Sequence, residues 1–525
     1  MDFLAKADQI YCAIVAKMRR SASEEERLHW IQLIAFFASW RAHPGRFVDG
    51  RLENEAVRIG ERLVPESLPS FPTSAQEKRS PRILHVATRL YAIGGHTRLI
   101  NNWIKNDSQS CHSIVAIDQA DTVVPTWLQQ SVDATGGQIY LFPQHPDLRK
   151  KAGWLRLLAR ERADAVILHH HPDDVIPLVA FAVPGGPPVA VMNHADHVFW
   201  LGSAVADTVI SIRGWAEKIS RSRRFARHLA FLPIPLSPSR REISREEARH
   251  ELGVAADTQM LLSIGEAFKY VPSPRHNFYQ TAQKILSRRS NIEIWMMGVS
   301  SMDAADHVQG LSERIHLLGR IEDPAPYLAA ADLYLEGFPY PSLTATLDSA
   351  AAGLCPVLMF SPSPQLTFSE DPGFGGYVKN LENEEEYLLF LDELLLDPER
   401  RARLSDQVRT SMVKAHTGEQ WRERLDELYS FLLSTAHHPS AILETPCLAN
   451  EEDMERSRHC ASQIGERLLL ADMAAVPFVD LSGMLSLLSI SVRAGDTRLS
   501  KQHLRTWAGV FKHRLLDRRS LQTGR

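Results

Sequence analysis

Residues 336–357 read EGFPYPSLTATLDSAAAGLCPV, and the run just before them, Ala331 to Leu335, reads ADLYL. The apolar run has the character of a strand buried in a parallel sheet. Pro339 and Pro341 lack backbone donors, so the ladder ends at the turn they occupy. Small residues then carry a helix that Ser342 or Thr344 can cap. Its open N–H groups and positive dipole end face the carboxyl edge of the strand, where an anion fits. Thr344 and Asp348 are four apart and share one helix face. A hydroxyl beside a phosphate, and a carboxylate one turn deeper that accepts from ribose hydroxyls, together match a nucleotide diphosphate. From these residues alone, a capped core helix in a parallel α/β domain is the competing reading.

The strand–helix alternation extends outward from this stretch. Met260–Ile264, Ile292–Met296 and Ile315–Leu318 read as further strands of the same unit. Helices follow Tyr387 and Thr417, the second with Trp421, Leu425, Leu428 and Leu432 at helical spacing. An earlier unit repeats the pattern, with strands at Ile83–Ala87, Ser113–Asp118, Gln138–Phe142, Ala165–His169, Pro188–Met192 and Thr208–Ile212. There Gly94, Gly95, His96, Thr97 and Arg98 link the first strand to a helix over Thr97–Lys105. Such alternation implies parallel strands with crossover helices, and each polar cluster follows a strand. Residues 233–250, PIPLSPSRREISREEARH, read as a linker, as does Pro65–Pro81. Residues 1–65 read as helices, with Ser23 as a cap before Glu24, Glu25 and Glu26, and a last helical segment spans about 450–520. The expected domains are 1–75 helical, 80–235 and 250–435 Rossmann-like, and 445–525 helical.

A chain of 525 residues, 44% hydrophobic, is ample for several cores. Its net charge of −4 provides no global basic field, which disfavours nucleic acid as a partner. Cys12, Cys111, Cys355, Cys447 and Cys460 are scattered and include no CxxC pair, which argues for reduced thiols and a cytoplasmic location. The start, MDFLAKADQI, lacks the apolar core of a signal peptide, and the run from Met473 to Val492 is broken by Pro477 and Asp480, so no transmembrane segment is expected.

Taken in order, GGHTR, NHADH, IGEAFKY, HLLGRIEDPAPYLAAADLYLEGFPY and TATLDSAAAGLCPV resemble nucleotide-sugar glycosyltransferases of the GT-B fold, most of all the O-GlcNAc transferase family and related bacterial protein glycosyltransferases. The resemblance covers about residues 80–435. It implies two Rossmann-like domains facing a cleft and a nucleotide diphosphate sugar, most readily a UDP-sugar, as donor substrate. It further implies that Lys269 contacts the donor diphosphate, Thr344 a phosphate and Asp348 the ribose, with Tyr340 and Pro339 shaping the turn beside them. Ala345 stands where closer relatives often have a second threonine, and Thr346 is the candidate to compensate. The two glutamates separated by seven residues of many retaining GT-B enzymes are absent, because Tyr340 stands at the first position and Asp348 at the second. Glu336 lies before the turn and is not assigned that role. This points to an inverting transfer, with the leaving diphosphate stabilised by Lys269 and the helix end and no metal required.

On the acceptor side His96, the His169-His170-His171 run, His194, Asp196 and His197 can each take a proton from a hydroxyl. No spaced HxxxH or cysteine supports zinc, and Asp173 with Asp174 is a weak cation signal. The expected partners are a nucleotide sugar and a protein or small-molecule acceptor, the protein somewhat favoured, with a homo-oligomer contact through the helical extensions as a further expectation. A sugar-nucleotide-binding scaffold and an epimerase on the same fold are the competing functions.

Overall fold

The computed structural model describes all residues except 1–2, 72–80, 93–94, 121–122, 237–242, 274, 303–309, 362–371, 449, 452, 455, 458–480 and 494–525. The apolar runs form two sheets in which every pairing is parallel. The first holds β1 (Arg82–Ala87), β2 (Cys111–Ala116), β3 (Ile139–Leu141), β4 (Ala165–His169), β5 (Val189–Met192), β6 (Thr208–Ser211) and β7 (Leu229–Phe231), in the order β3-β2-β1-β4-β5-β6-β7. The second holds β8 (Gln259–Ile264), β9 (Ile292–Met297), β10 (Ile315–Gly319), β11 (Leu333–Leu335) and β12 (Cys355–Val357), in the order β10-β9-β8-β11-β12. In each sheet the direction of winding reverses once, between β1 and β4 and between β8 and β11. At such a switch point the flanking loops diverge and leave a crevice beyond the strands' carboxyl ends.

Alternate residues of β1 serve different layers. Leu84 and Val86 join one core with Ile10, Ile14, Leu28, Ile31, Leu52 and Ile59 of the N-terminal helices, Phe3–Arg19, Glu24–Phe36 and Gly50–Glu61. Those helices therefore cover one face of the first sheet. The acidic residues Glu24, Glu25 and Glu26 occupy a first turn whose N-cap is Ser23. Leu487, in helix Leu481–Arg493, enters the same core. The rest of the expected 450–520 helical segment lies largely outside the described residues, as do much of the Met473–Val492 run and Gly94.

The opposite face carries helix Gly95–Asn106 and, from the far end of the chain, helix Gly418–Ser434. Leu99 and Trp103 of the first, Leu347 and Ala350 of helix Leu343–Ala351, and Trp421, Leu425, Leu428 and Leu432 of the last share one core. The Trp421 indole donates to the Pro233 carbonyl at 2.9 Å, and the Trp103 indole to the Tyr429 hydroxyl at 2.9 Å. The chain thus crosses back and fastens its second half to its first. Each of those fully buried large apolar side chains contributes about 1.5–3 kcal/mol.

Three local expectations are corrected. The linker read over 233–250 ends in a helix, Arg245–Leu252, whose start is a reciprocal capping box between Ser244 and Glu247. Helix Pro398–His416 lies between the two helices that the sequence reading placed after Tyr387 and Thr417. Strands β7 and β12, each of three residues, were too short to stand out. Among the described residues, no helix is long and apolar enough to cross a membrane.

Candidate functional site

The donor-side residues gather at the switch point of the second sheet. After β8 the chain makes a tight turn, Ala267–Tyr270, that carries Lys269. The Lys269 carbonyl accepts from the Tyr340 N–H at 3.2 Å, and its ammonium donates to the Pro341 carbonyl at 2.9 Å. Lys269 is thereby tied along the proline turn and delivers its charge to the mouth of helix Leu343–Ala351. Burial pushes the ammonium down to about 8, against the opposing pull of Glu336 and Glu266. Tyr340 itself is buried.

Ser342 sits at the N-cap position, but no side chain caps this helix. The expectation that Ser342 or Thr344 would do so is not met, and the first N–H groups of the helix are left for something else. Thr344 points across the cleft. A Cβ added to Gly95 would lie 3.0 Å from its Cγ2 and 3.1 Å from its Oγ1, so a side chain here would press Thr344 back by a few tenths of an ångström. Two helix starts, with positive ends, therefore converge. Asp348 lies one turn on from Thr344 and is half-buried. Burial pushes its carboxyl up to about 6, opposed by Arg98 of the other helix. Arg98 was quoted within GGHTR but not singled out; its signal was its position in the first turn after the strand.

Thr346 turns inward. It is fully buried, and its hydroxyl donates to the Ser342 carbonyl at 3.1 Å and faces Glu336 at 3.5 Å. Its expected compensation for Ala345 at the donor is thus corrected, because the hydroxyl is engaged inside. Glu336, set aside by the sequence reading, is enclosed behind the site and accepts from the Met359 N–H at 3.1 Å. Burial pushes it up to about 7, with Met359 and Lys269 opposing.

Across the cleft, at the first sheet's switch point, the histidines separate into groups. The His96 and His194 rings meet edge to face with centroids 4.5 Å apart, and His169 lies behind both. Nitrogen atoms of His96, His169 and His194 come within 4.8 Å of one another, close enough to hold a metal ion. Burial, reinforced by neighbouring histidines, pushes His96 down to about 4 and holds His194 well below the usual imidazole range. His170 turns to the Leu201 carbonyl at 2.6 Å, and His171 stacks on Tyr91.

Asp196 is not with them. It is fully buried and paired with the Arg213 guanidinium, with His197 at 3.3 Å. Burial would raise its carboxyl, but Arg213 and His197 outweigh this and hold it well below the usual carboxylate range. Asp196 is thereby corrected as a base, since a carboxylate so stabilised binds protons poorly. His197, engaged with Asp196, is likewise outside the His96–His194 group. Asp173 accepts from the Trp40 indole and Asp174 from Thr88, so neither carboxylate points at an open cation site.

Two parallel sheets, each with one switch point, brought together where Thr344 packs on Gly95 and with helix Gly418–Ser434 recrossing to the first half, define a GT-B fold. The Anabaena protein HepE, solved with UDP and glucose, superimposes with a TM-score of 0.51 at 14% identity, over 68% of this chain and 100% of that one. A mutant O-GlcNAc transferase of Thermobaculum terrenum gives 0.50 at 12% identity, over 82% of each chain. In sequence, the lipopolysaccharide core biosynthesis glycosyltransferase LpsE of Rhizobium meliloti is 25% identical over 194 residues, 36% of this chain. The match spans 53% of LpsE, so the chain covers about half the length of that curated relative. No family model matches the chain.

Proposed function

We propose that the protein is a glycosyltransferase that moves a sugar from a nucleoside diphosphate sugar, most readily a UDP-sugar, to a hydroxyl of an acceptor. One observation carries this reading: the uncapped start of helix Leu343–Ala351, with Lys269 bonded at its entry, packs through Thr344 on Gly95, the neighbour of His96 in the His96–His194 pair, and Arg98 of that same helix acts on Asp348. The diphosphate lies against the Lys269 ammonium and the helix N–H groups, and Asp348 accepts from the ribose hydroxyls. The acceptor hydroxyl gives up its proton to a histidine, and its oxygen attacks the anomeric carbon from the side opposite the leaving group. The bond to the diphosphate oxygen breaks, its electron pair stays with the diphosphate, and the anomeric configuration inverts. The chain's own cationic groups stabilise the charge that develops on the leaving group. That HepE was solved with UDP supports the choice of nucleotide.

The test is calorimetric titration with UDP, followed by hydrolysis and transfer assays with UDP-, GDP- and dTDP-sugars. Binding and turnover are expected, and Lys269→Ala should weaken UDP binding by about ten- to a hundredfold, the worth of a charge-assisted hydrogen bond. UDP binding with no turnover of any donor would leave a binding scaffold. Sugar interconversion without an acceptor would make it an epimerase.

A further inference from the structure

Arg98 stands in the cleft without a bonded partner. Helix Gly95–Asn106 carries it three residues past Gly95, and residues three apart share a helix face. Gly95 is the residue that Thr344 packs on, and Asp348 is four residues past Thr344 on the facing helix. One turn on from this contact, the two helices bring Arg98 and Asp348 towards each other, the cation from the first half of the chain and the anion from the second. The charge of Arg98 acts on the Asp348 carboxyl and opposes the effect of burial there.

The two groups do not bond. Both are half-buried, and among the described residues neither side chain has a hydrogen bond or an ion pair. Other half-buried arginines of the first half are engaged: Arg82 donates to Asp164 at 2.7 Å, Arg89 to Asp118 at 2.6 Å and Arg213 to Asp196 at 2.8 Å. A guanidinium carries five N–H donors, and drawing it partly out of water without acceptors is costly. Its place in this cleft suits a ligand that accepts from it.

Resting on the glycosyltransferase reading, we propose that Arg98 is a donor-binding residue that reaches the diphosphate of the nucleoside diphosphate sugar from the first half of the chain. The charges favour it. A diphosphate at the start of helix Leu343–Ala351 and the Asp348 carboxylate are both anions, and four residues separate Thr344 from Asp348, about 6 Å along the helix axis. In a half-buried cleft water screens such a repulsion poorly. A cation between the two satisfies both, and Arg98 already acts on Asp348. Lys269 serves the mouth of the helix, where its ammonium donates to the Pro341 carbonyl, and it loses its charge as pH rises through about 8. Arginine stays charged throughout, and its planar fork gives two parallel N–H bonds to phosphate oxygens. As the bond to the anomeric carbon breaks, negative charge grows on the diphosphate, so the hold of Arg98 strengthens as the reaction proceeds. The donor is then gripped from both halves, and neither half alone makes the complete site.

The test is calorimetric titration of the full chain with UDP and with UMP, in the unmodified protein and in Arg98→Ala, Arg98→Lys and Lys269→Ala. Arg98→Ala should weaken UDP binding about tenfold or more, the worth of charge-assisted hydrogen bonds. UMP lacks the second phosphate and should lose less, so the preference for UDP over UMP narrows. Arg98→Lys should recover part of the loss, because an ammonium keeps the charge but not the paired bonds. It also keeps most of the apolar stem, so it carries the same UDP-against-UMP comparison where alanine impairs folding. An equal loss for both nucleotides marks a structural role and overturns the proposal. Unchanged UDP affinity in Arg98→Ala, with Lys269→Ala weakened, also overturns it while leaving the glycosyltransferase reading intact. Absence of UDP binding in the unmodified protein overturns both.

Discussion

Lys269 and Asp348 change charge on either side of neutrality, at about 8 and about 6, because both are drawn out of water at the same cleft. Lys269 loses its positive charge as pH rises through about 8, and Asp348 loses its negative charge as pH falls through about 6. UDP affinity should therefore peak between these limits and fall on both sides. Titration calorimetry across pH should show the alkaline fall vanish in Lys269→Ala and the acid fall vanish in Asp348→Asn; limbs that persist in the variants refute the assignments. Glu336 makes a stability prediction. Its carboxyl, raised from 4.5 to about 7, holds a proton in the folded state that the unfolded chain releases at lower pH. Stability therefore falls as pH rises through that window, by about 3 kcal/mol from this group. Glu336→Gln keeps the Met359 hydrogen bond and removes the titration, so its unfolding free energy should lose that slope, measured by denaturant unfolding from pH 4 to 8.

At the scale of elements, what matters is how helices meet. The start of helix Gly95–Asn106 abuts Thr344 so closely that an added Cβ would push against it. Gly95→Ala should lower UDP affinity several-fold by displacing Thr344, with little change in melting temperature, because an alanine suits a helix better than glycine; unaltered affinity would show that Thr344 is not part of the site. Helix Gly418–Ser434 tests a different contact. Trp421→Ala removes a fully buried indole and its bond to Pro233, and should cost about 3–5 kcal/mol in denaturant unfolding. The errors of sequence reading also fall at this scale. ISREEARH, residues 243–250, was taken as part of a charged linker although Ser244 and Glu247 have the spacing of a capping box. Helix Pro398–His416 buries only Ser405, Val408, Met412 and His416, so its apolar stripe is too thin to register as a period.

Across the whole molecule, the contacts that fasten the two halves include helix Gly418–Ser434 on one side and Thr344 on Gly95 on the other. A nucleotide held by Lys269 and Asp348 should therefore slow amide hydrogen exchange in helix Gly95–Asn106 as well as near its own contacts. Protection confined to residues after 250 would mean that the cleft closes without that contact. The parallel strands, their alternation with helices and the polar clusters at their ends were legible in the sequence, because apolar runs and turn residues act over a few positions. So were the turn and helix of residues 336–357. Their side-chain assignments were not. Thr346 faces Glu336, Asp196 meets Arg213, and His85 falls between His112 and His169 only because strand register and helix packing bring together residues distant in the chain. Periodicity records which residues are inside; it carries no record of which neighbour each will find there, and the partner decides whether a buried carboxylate or imidazole is charged, neutral or available for chemistry.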